Sequence, residues 1–256
     1  MLSGIDWTRP WFQPFAASAP IFQSADMRAA LNASAHALHN AQGLPLRFVP
    51  QAALPEGTAY EVHIHATGQV PTRDNHHDAF NGLIWLHFPH TKRLLNRLQA
   101  EAIARDGVGQ MRGGLRDAAT LFDENAVIFV TDDASLAEAL RGFAWRDLFV
   151  VRRGAWGGAC AVIPFGHALL EKLVQPYKSV TAHAWWISAP PGIDMADLDE
   201  RLARSLEEAV ADGRLSGGRC FAPLPVMGIP GWCDENAEAA FYDDVTVFRP
   251  GRRQRC

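Results

Sequence analysis

An α/β or α+β fold, a mixed sheet flanked by helices, is predicted by three observations. Short apolar runs of strand length (126–130, 160–164 and 180–188) alternate with amphipathic stretches of helical period such as 194–211. Gly and Pro cluster at the joins between them. No linker-like stretch and no internal repeat divides the 256 residues, so the reading is a single domain, 1–256.

Taken in order, residues 1–55 read as irregular, rich in Pro and aromatics (Trp7, Trp11, Phe12, Phe15, Phe22), around one helix from about 24 to 40. The alternation in 60–66 (YEVHIHA) predicts a strand that would set His63 and His65 on one face. Pro71 opens a helix over 72–89, and a second follows over 91–105. Residues 126–130 read as a buried strand, and Ser135 with Glu138 as a capping box for the next helix. Strands are expected at 147–153 and 160–164 around a Gly-rich turn, then a helix at 165–174, a strand at 180–188 and a helix at 194–211. The Pro- and Gly-containing stretch 217–256 is expected to wrap over the core as extended chain.

Composition narrows the function classes. At 48% hydrophobic and 20% charged residues the chain is globular rather than disordered. A net charge of -4 gives no whole-chain reason to expect a nucleic-acid or membrane partner, although a basic tail (Arg249, Arg252, Arg253, Arg255) offers a local route to nucleic acid. The N-terminus lacks a basic leader and no apolar run approaches the ~18 residues of a membrane span, so the expected location is cytoplasmic. Cys160, Cys220, Cys233 and Cys256 lack paired spacing and read as isolated thiols rather than a structural zinc site.

The helix after Pro71 carries the main functional signal. With successive residues rotated by about 100°, Asn81, Asp74 and Asp78 fall at about 40°, 60° and 100° from His77. An ordinary amphipathic helix would continue the apolar line of Ile84 and Phe88 through this wedge. Buried imidazole, amide and carboxylate groups need partners, a metal or a wet cavity. A site is one reading; a capping Asp74 and a satisfied buried network are the structural alternative.

Other candidates surround it. Asp123 and Glu124 precede the buried strand, where a turn is the simple reading and metal binding or general-base chemistry the functional one. His167 and Glu171 form an i,i+4 pair that can bind metal or orient an imidazole, or simply decorate a surface. Arg73 and Lys92 could hold an anionic group. His63, His65, His87 and His90 form a weaker metal candidate.

Three stretches, PTRDNHHDAFNGLIWLHFPHTKRLLN, GLRDAATLFDEN and PLPVMGIPGW with FYDDVTVFRP, resemble the bacterial domain-of-unknown-function family 3025 over nearly the whole chain. The resemblance implies that Thr72, Arg73, Asn75, His77, Asp78, Asn81, Trp85, Pro89 and Lys92 match its central motif. Asp117, Asp123 and Glu124 match the second, and Trp232, Asn236, Tyr242 and Asp243 the third. It implies no activity, and it leaves His63, His65, His76, His87 and His90 outside the pattern.

Motifs for phosphate loops, dinucleotide binding, nucleophile elbows and HExxH zinc sites are missing from the sequence, so no nucleotide cofactor is expected. The expectation is a metal-assisted or acid/base hydrolase acting on a small polar or phosphate-bearing molecule. In it His77, Asp78, Asp123 and Glu124 are catalytic, and Arg73, Asn81, Lys92, Trp232 and Tyr242 bind substrate. A divalent metal, if present, would sit on His77, Asp78 and Glu124. The alternative is a non-catalytic domain that binds a ligand or nucleic acid with the same groups.

Overall fold

The structure is a computed structural model and describes residues 2, 4–107 and 113–251. Its first half contains α1 (Ala19–Gln23), α2 (Met27–Ser34), β1 (Arg47–Pro50), α3 (Tyr60–Thr67), β2 (Gln69–Thr72), α4 (His76–His87) and α5 (Pro89–Asp106). The second half contains α6 (Gly114–Asn125), β3 (Ala126–Val130), α7 (Ala134–Arg141), β4 (Ala161–Pro164), α8 (His167–Lys172), β5 (Thr181–Ile187), α9 (Met195–Ala211) and β6 (Ala222–Pro225).

The main sheet has the order β4-β3-β5-β6, and a parallel pair, β1-β2, stands apart. β3 and β5 run parallel in the middle, with β4 and β6 antiparallel at the edges. Every residue of β3 is buried, as suits a Val/Ile/Phe strand covered on both faces. Helices flank the sheet, so the mixed architecture is as expected. Apolar residues from Trp11 to Phe248 join one hydrophobic core. No helix among the described residues is long and apolar enough to cross a membrane.

Residues 60–66 depart from the expected strand. They form α3, which ends at Gly68 in the left-handed conformation (φ 72°), where the glycine N–H reaches the Ile64 carbonyl. Packing against α5 outweighs a short alternating pattern. In a helix, His63 and His65 lie about 200° apart, so the shared histidine face is lost. His63 is buried while His65 turns to Gln42.

Residues 147–153 also differ from expectation, beginning as one π-helical turn over Asp147–Val151. Its Phe149 stacks between Trp145 and Trp156, burying side chains that an alternating strand would separate. The cap of α7 is Asp133, whose carboxylate accepts from the Ser135 N–H, in place of the Ser135–Glu138 box. α2 is shorter than the expected helix, and Asn40 organises the following turn by donating to the Ile64 and His65 carbonyls.

The N-terminal segment is more ordered than expected. Phe12 stacks on Phe80 of α4 at 5.7 Å and 3°, and Trp11 donates its indole N–H to the Leu173 carbonyl. Leu31 of α2 lies so close to α4 that a Cβ on Gly82 would meet its side chain at 2.8 Å. The C-terminal segment supplies β6 and buries Trp232, Tyr242 and Phe248 in the core. Cys160, Cys220 and Cys233 are free thiols. Arg252, Arg253, Arg255 and Cys256 lie outside the described residues.

Candidate functional site

Three helices bring the polar residues together. His77 stands in the first turn of α4, whose cap is Asn75, accepting from the Asp78 N–H at 2.8 Å. Glu124 lies in the last turn of α6, and His167 opens α8. The approach of α8 to the α6–β3 junction depends on Gly166. A Cβ there would lie 2.5 Å from the Asn125 and Ala126 nitrogens and the Glu124 carbonyl oxygen.

One ligand atom from each of His77, Glu124 and His167 lies within 4.8 Å of the others. His167 Nε2 is 3.5 Å from Glu124 Oε2, and the two imidazole centroids are 4.6 Å apart. His77 Nδ1 is 3.0 Å from Glu171 Oε2. An ionised carboxylate only accepts, so this contact puts the proton on Nδ1 and leaves the lone pair on Nε2.

His167 is buried, and its Nδ1 has no hydrogen-bond partner among the described residues. Burial drives its pKa down to about 4 against the opposing charge of Asp123. It is therefore neutral near pH 7, with a lone pair available.

Behind these groups lies a buried polar layer. Lys92 Nζ donates to Asp123 Oδ1 at 2.6 Å and to Asn81 Oδ1 at 2.8 Å, and stands 5.4 Å from the Trp85 ring centroid. Asn81 in turn donates to the Tyr60 hydroxyl. Burial raises the Asp123 carboxyl, but Lys92 and the two histidines outweigh it and hold the group below its ordinary value. Glu61, half-buried and accepting from Asn96 Nδ2 at 2.6 Å, behaves oppositely. Burial, reinforced by the Asp123 charge, pushes its pKa up to about 7.

His77, Glu124 and His167, with Tyr60, Glu61, Asn81 and Asp123, line a cavity of about 310 Å³. Residues 46–252 match the model of a family described as "Protein of unknown function (DUF3025)".

The chain belongs to the DUF3025 family.

The DUF3025 match includes every cavity residue named above and begins after the N-terminal aromatics. No curated protein and no solved structure matches the chain.

Within this DUF3025 chain the expected site residues separate into three groups. His77, Asn81, Asp123 and Glu124 meet at the cavity, as do Arg73 and Asp78. Asp78, expected to ligate a metal with His77 and Glu124, is not in the group, and His167 takes its place. The Asp78 carboxylate accepts from the Arg73 backbone N–H at 2.6 Å and from the guanidinium at 3.0 and 3.1 Å. Lys92 sits behind the wall, committed to Asp123 and Asn81 instead of facing an anionic group. Trp232 and Tyr242 do not line the cavity. Trp232 meets Trp11, and Tyr242 donates to the Gly228 carbonyl. Asp74 precedes the helix and pairs with Arg28, so it leaves the wedge.

His167 enters the ligand group, and its helix partner Glu171 serves His77. Tyr60 and Glu61 escaped the sequence reading because 60–66 looks like a strand. Read as a helix, the same residues place an acidic group in its first turn. His63, His65, His87 and His90 do not line the cavity.

Proposed function

We infer that this protein is a hydrolase that binds a divalent metal on His77, Glu124 and His167 and acts on a small phosphate-bearing molecule. The observation that carries the reading is the convergence of two imidazoles and a carboxylate from three helices. Two nitrogens and one oxygen make a ligand set that leaves coordination positions open, as hydrolytic and oxygen-activating metals require. His167 Nε2 faces Glu124, while its Nδ1 lies 3.9 Å from Asp123 Oδ2, a carboxylate outside the ligand set that can orient the ring.

A bound divalent ion would act as a Lewis acid and lower the pKa of water toward about 7. The remaining groups suit the same chemistry. Glu171 fixes the His77 tautomer from outside the ligand set. Glu61, near 7, can take or give a proton at neutral pH. Arg73 keeps 59% of its side-chain surface exposed while paired to Asp78, and presents its guanidinium to anions at the cavity. The cavity's size favours a small substrate. Three free cysteines suit a reducing cytoplasm, where we place the protein.

Elemental analysis after equilibration with Zn²⁺, Mn²⁺ or Fe²⁺ tests the reading. About one ion per chain is expected in the wild type and only traces in His77→Ala and His167→Asn. Loaded protein should then cleave members of a phosphoester panel. A wild type that retains no ion, together with unchanged ligand-induced stabilisation in His77→Ala, would sink it.

A further inference from the structure

A second cavity, of about 390 Å³, opens where the main sheet loses a strand. β5 continues through Trp185, Trp186 and Ile187 after its last pairing with β6, Ala184↔Ala222. Its outer backbone edge has no strand neighbour there among the described residues. Arg141, Arg201 and Arg214 line the opening with Trp185, Trp186 and Ser205, and no Asp or Glu among the described residues lines it. In a chain of net charge -4, the guanidinium groups of Arg141 and Arg201, unpaired among the described residues, make a local positive field.

The aromatic groups are fixed in place. Trp185 Nε1 donates to Ser205 Oγ at 3.1 Å, and Trp186 Nε1 to the Thr131 carbonyl at 2.9 Å. The Arg141 guanidinium lies 4.8 Å from the Trp186 ring centroid. Ser205, accepting from the indole, keeps its own O–H to donate. Arg214 is paired with Asp212, but Arg141 and Arg201 have no ion-pair partner among the described residues.

We propose that this groove binds a nucleotide unit, its phosphate on the arginines and its base against the part-exposed Trp186 indole; Trp185, its neighbour in β5, turns to the opposite face and is buried. Guanidinium forks match phosphate oxygens, and an indole stacks on any base without reading its identity. The unpaired edge of β5 adds backbone donors and acceptors of the kind a base edge requires. An acidic peptide would use the arginines and leave the Trp186 indole idle. The volume suits a single nucleotide, supplied either free or as part of a single strand. The groove shares no lining residue with the His77 cavity, so it stands independently of the hydrolase reading.

The test is fluorescence anisotropy of a short dye-labelled oligothymidylate titrated with the full chain, with EDTA present so that no metal bridges or cleaves the probe. Binding is expected to weaken with salt, with a log–log slope near −2 if about three phosphates are neutralised. The double variant Arg141→Ala/Arg201→Ala should lose affinity at least about tenfold. Both side chains are exposed, so its melting temperature should stay that of the wild type. Replacing Arg252, Arg253 and Arg255 with Ser should leave affinity within about twofold, since the proposed phosphate contacts are Arg141 and Arg201.

Competition by AMP identifies a free nucleotide as the ligand, and competition by oligonucleotide alone identifies a strand; either supports the site. Three results would overturn it: no binding, binding unchanged in the double variant, or displacement by polyglutamate as effective as by oligonucleotide.

Discussion

Lys92 Nζ stands 2.6 Å from Asp123 Oδ1, with only 5% and 9% of the two side chains exposed. Two opposite charges buried this deeply depend on each other more than they stabilise the fold. Removing one partner strands the other in a medium that solvates it poorly. Lys92→Met is therefore expected to destabilise by about 3–5 kcal/mol. Adding Asp123→Leu should restore much of that loss. Urea denaturation of the single and double variants measures both, and a double variant no more stable than Lys92→Met would count against this account.

Acid stability should report His167. Its imidazole titrates near 6.5 when unfolded and at about 4 when folded, so the unfolded chain binds the proton more tightly. Stability is complete above about 6.5, falls as pH drops to 4, and levels off below. The loss in metal-free protein is roughly 3 kcal/mol at most. Glu61 opposes it, since its raised pKa gives stability that is full below 4.5 and lost as pH climbs toward about 7. His167→Gln should flatten the acid limb, and Glu61→Gln should steepen it. Denaturation midpoints across pH 4–8 decide.

Glu171 should matter to a bound metal and little to the fold. Its carboxylate is half-exposed, and its one described partner is His77 Nδ1. Glu171→Gln is expected to weaken metal binding about 10–100-fold in chelator competition while leaving the urea midpoint in place. Equal affinity in the variant would show that His77 is oriented by other groups.

Gly166→Ala is expected to fail by steric conflict. The added methyl group would sit 2.5 Å from three backbone atoms, none of which can rotate aside. A cost of about 3 kcal/mol or more is expected, with metal affinity reduced because the α8 start is displaced from Glu124. Thermal unfolding and metal titration on the same sample check the two effects together.

The sequence exposed some parts of this site more clearly than others. His77 and Asn81 were visible because a polar wedge interrupts an otherwise apolar helix face. β3, β4, β5 and α9 followed from apolar runs and helical period. Asp78 shared the wedge, yet its role depends on Arg73, which lies in irregular chain that no periodicity describes. Lys92 looked like a surface cation flanking a helix, and only the tertiary neighbours Asp123 and Asn81 make it an internal one. Trp232 and Tyr242 belonged to a motif-like stretch, but their partners are Trp11 and Gly228. His167, Glu171 and Glu61 gain meaning from helix-to-helix docking over long sequence separations, which spacing rules do not encode.

The stacking of Phe12 on Phe80 sets a boundary that family likeness does not. The family match starts at residue 46, yet the helix bearing His77 is covered by Phe12, Phe22 and Leu31, all before it. A chain cut at the family boundary would leave a greasy, half-built helix face at the site's first ligand. What folds together is therefore wider than what the family shares, and the borrowed margin is what keeps the shared centre in shape.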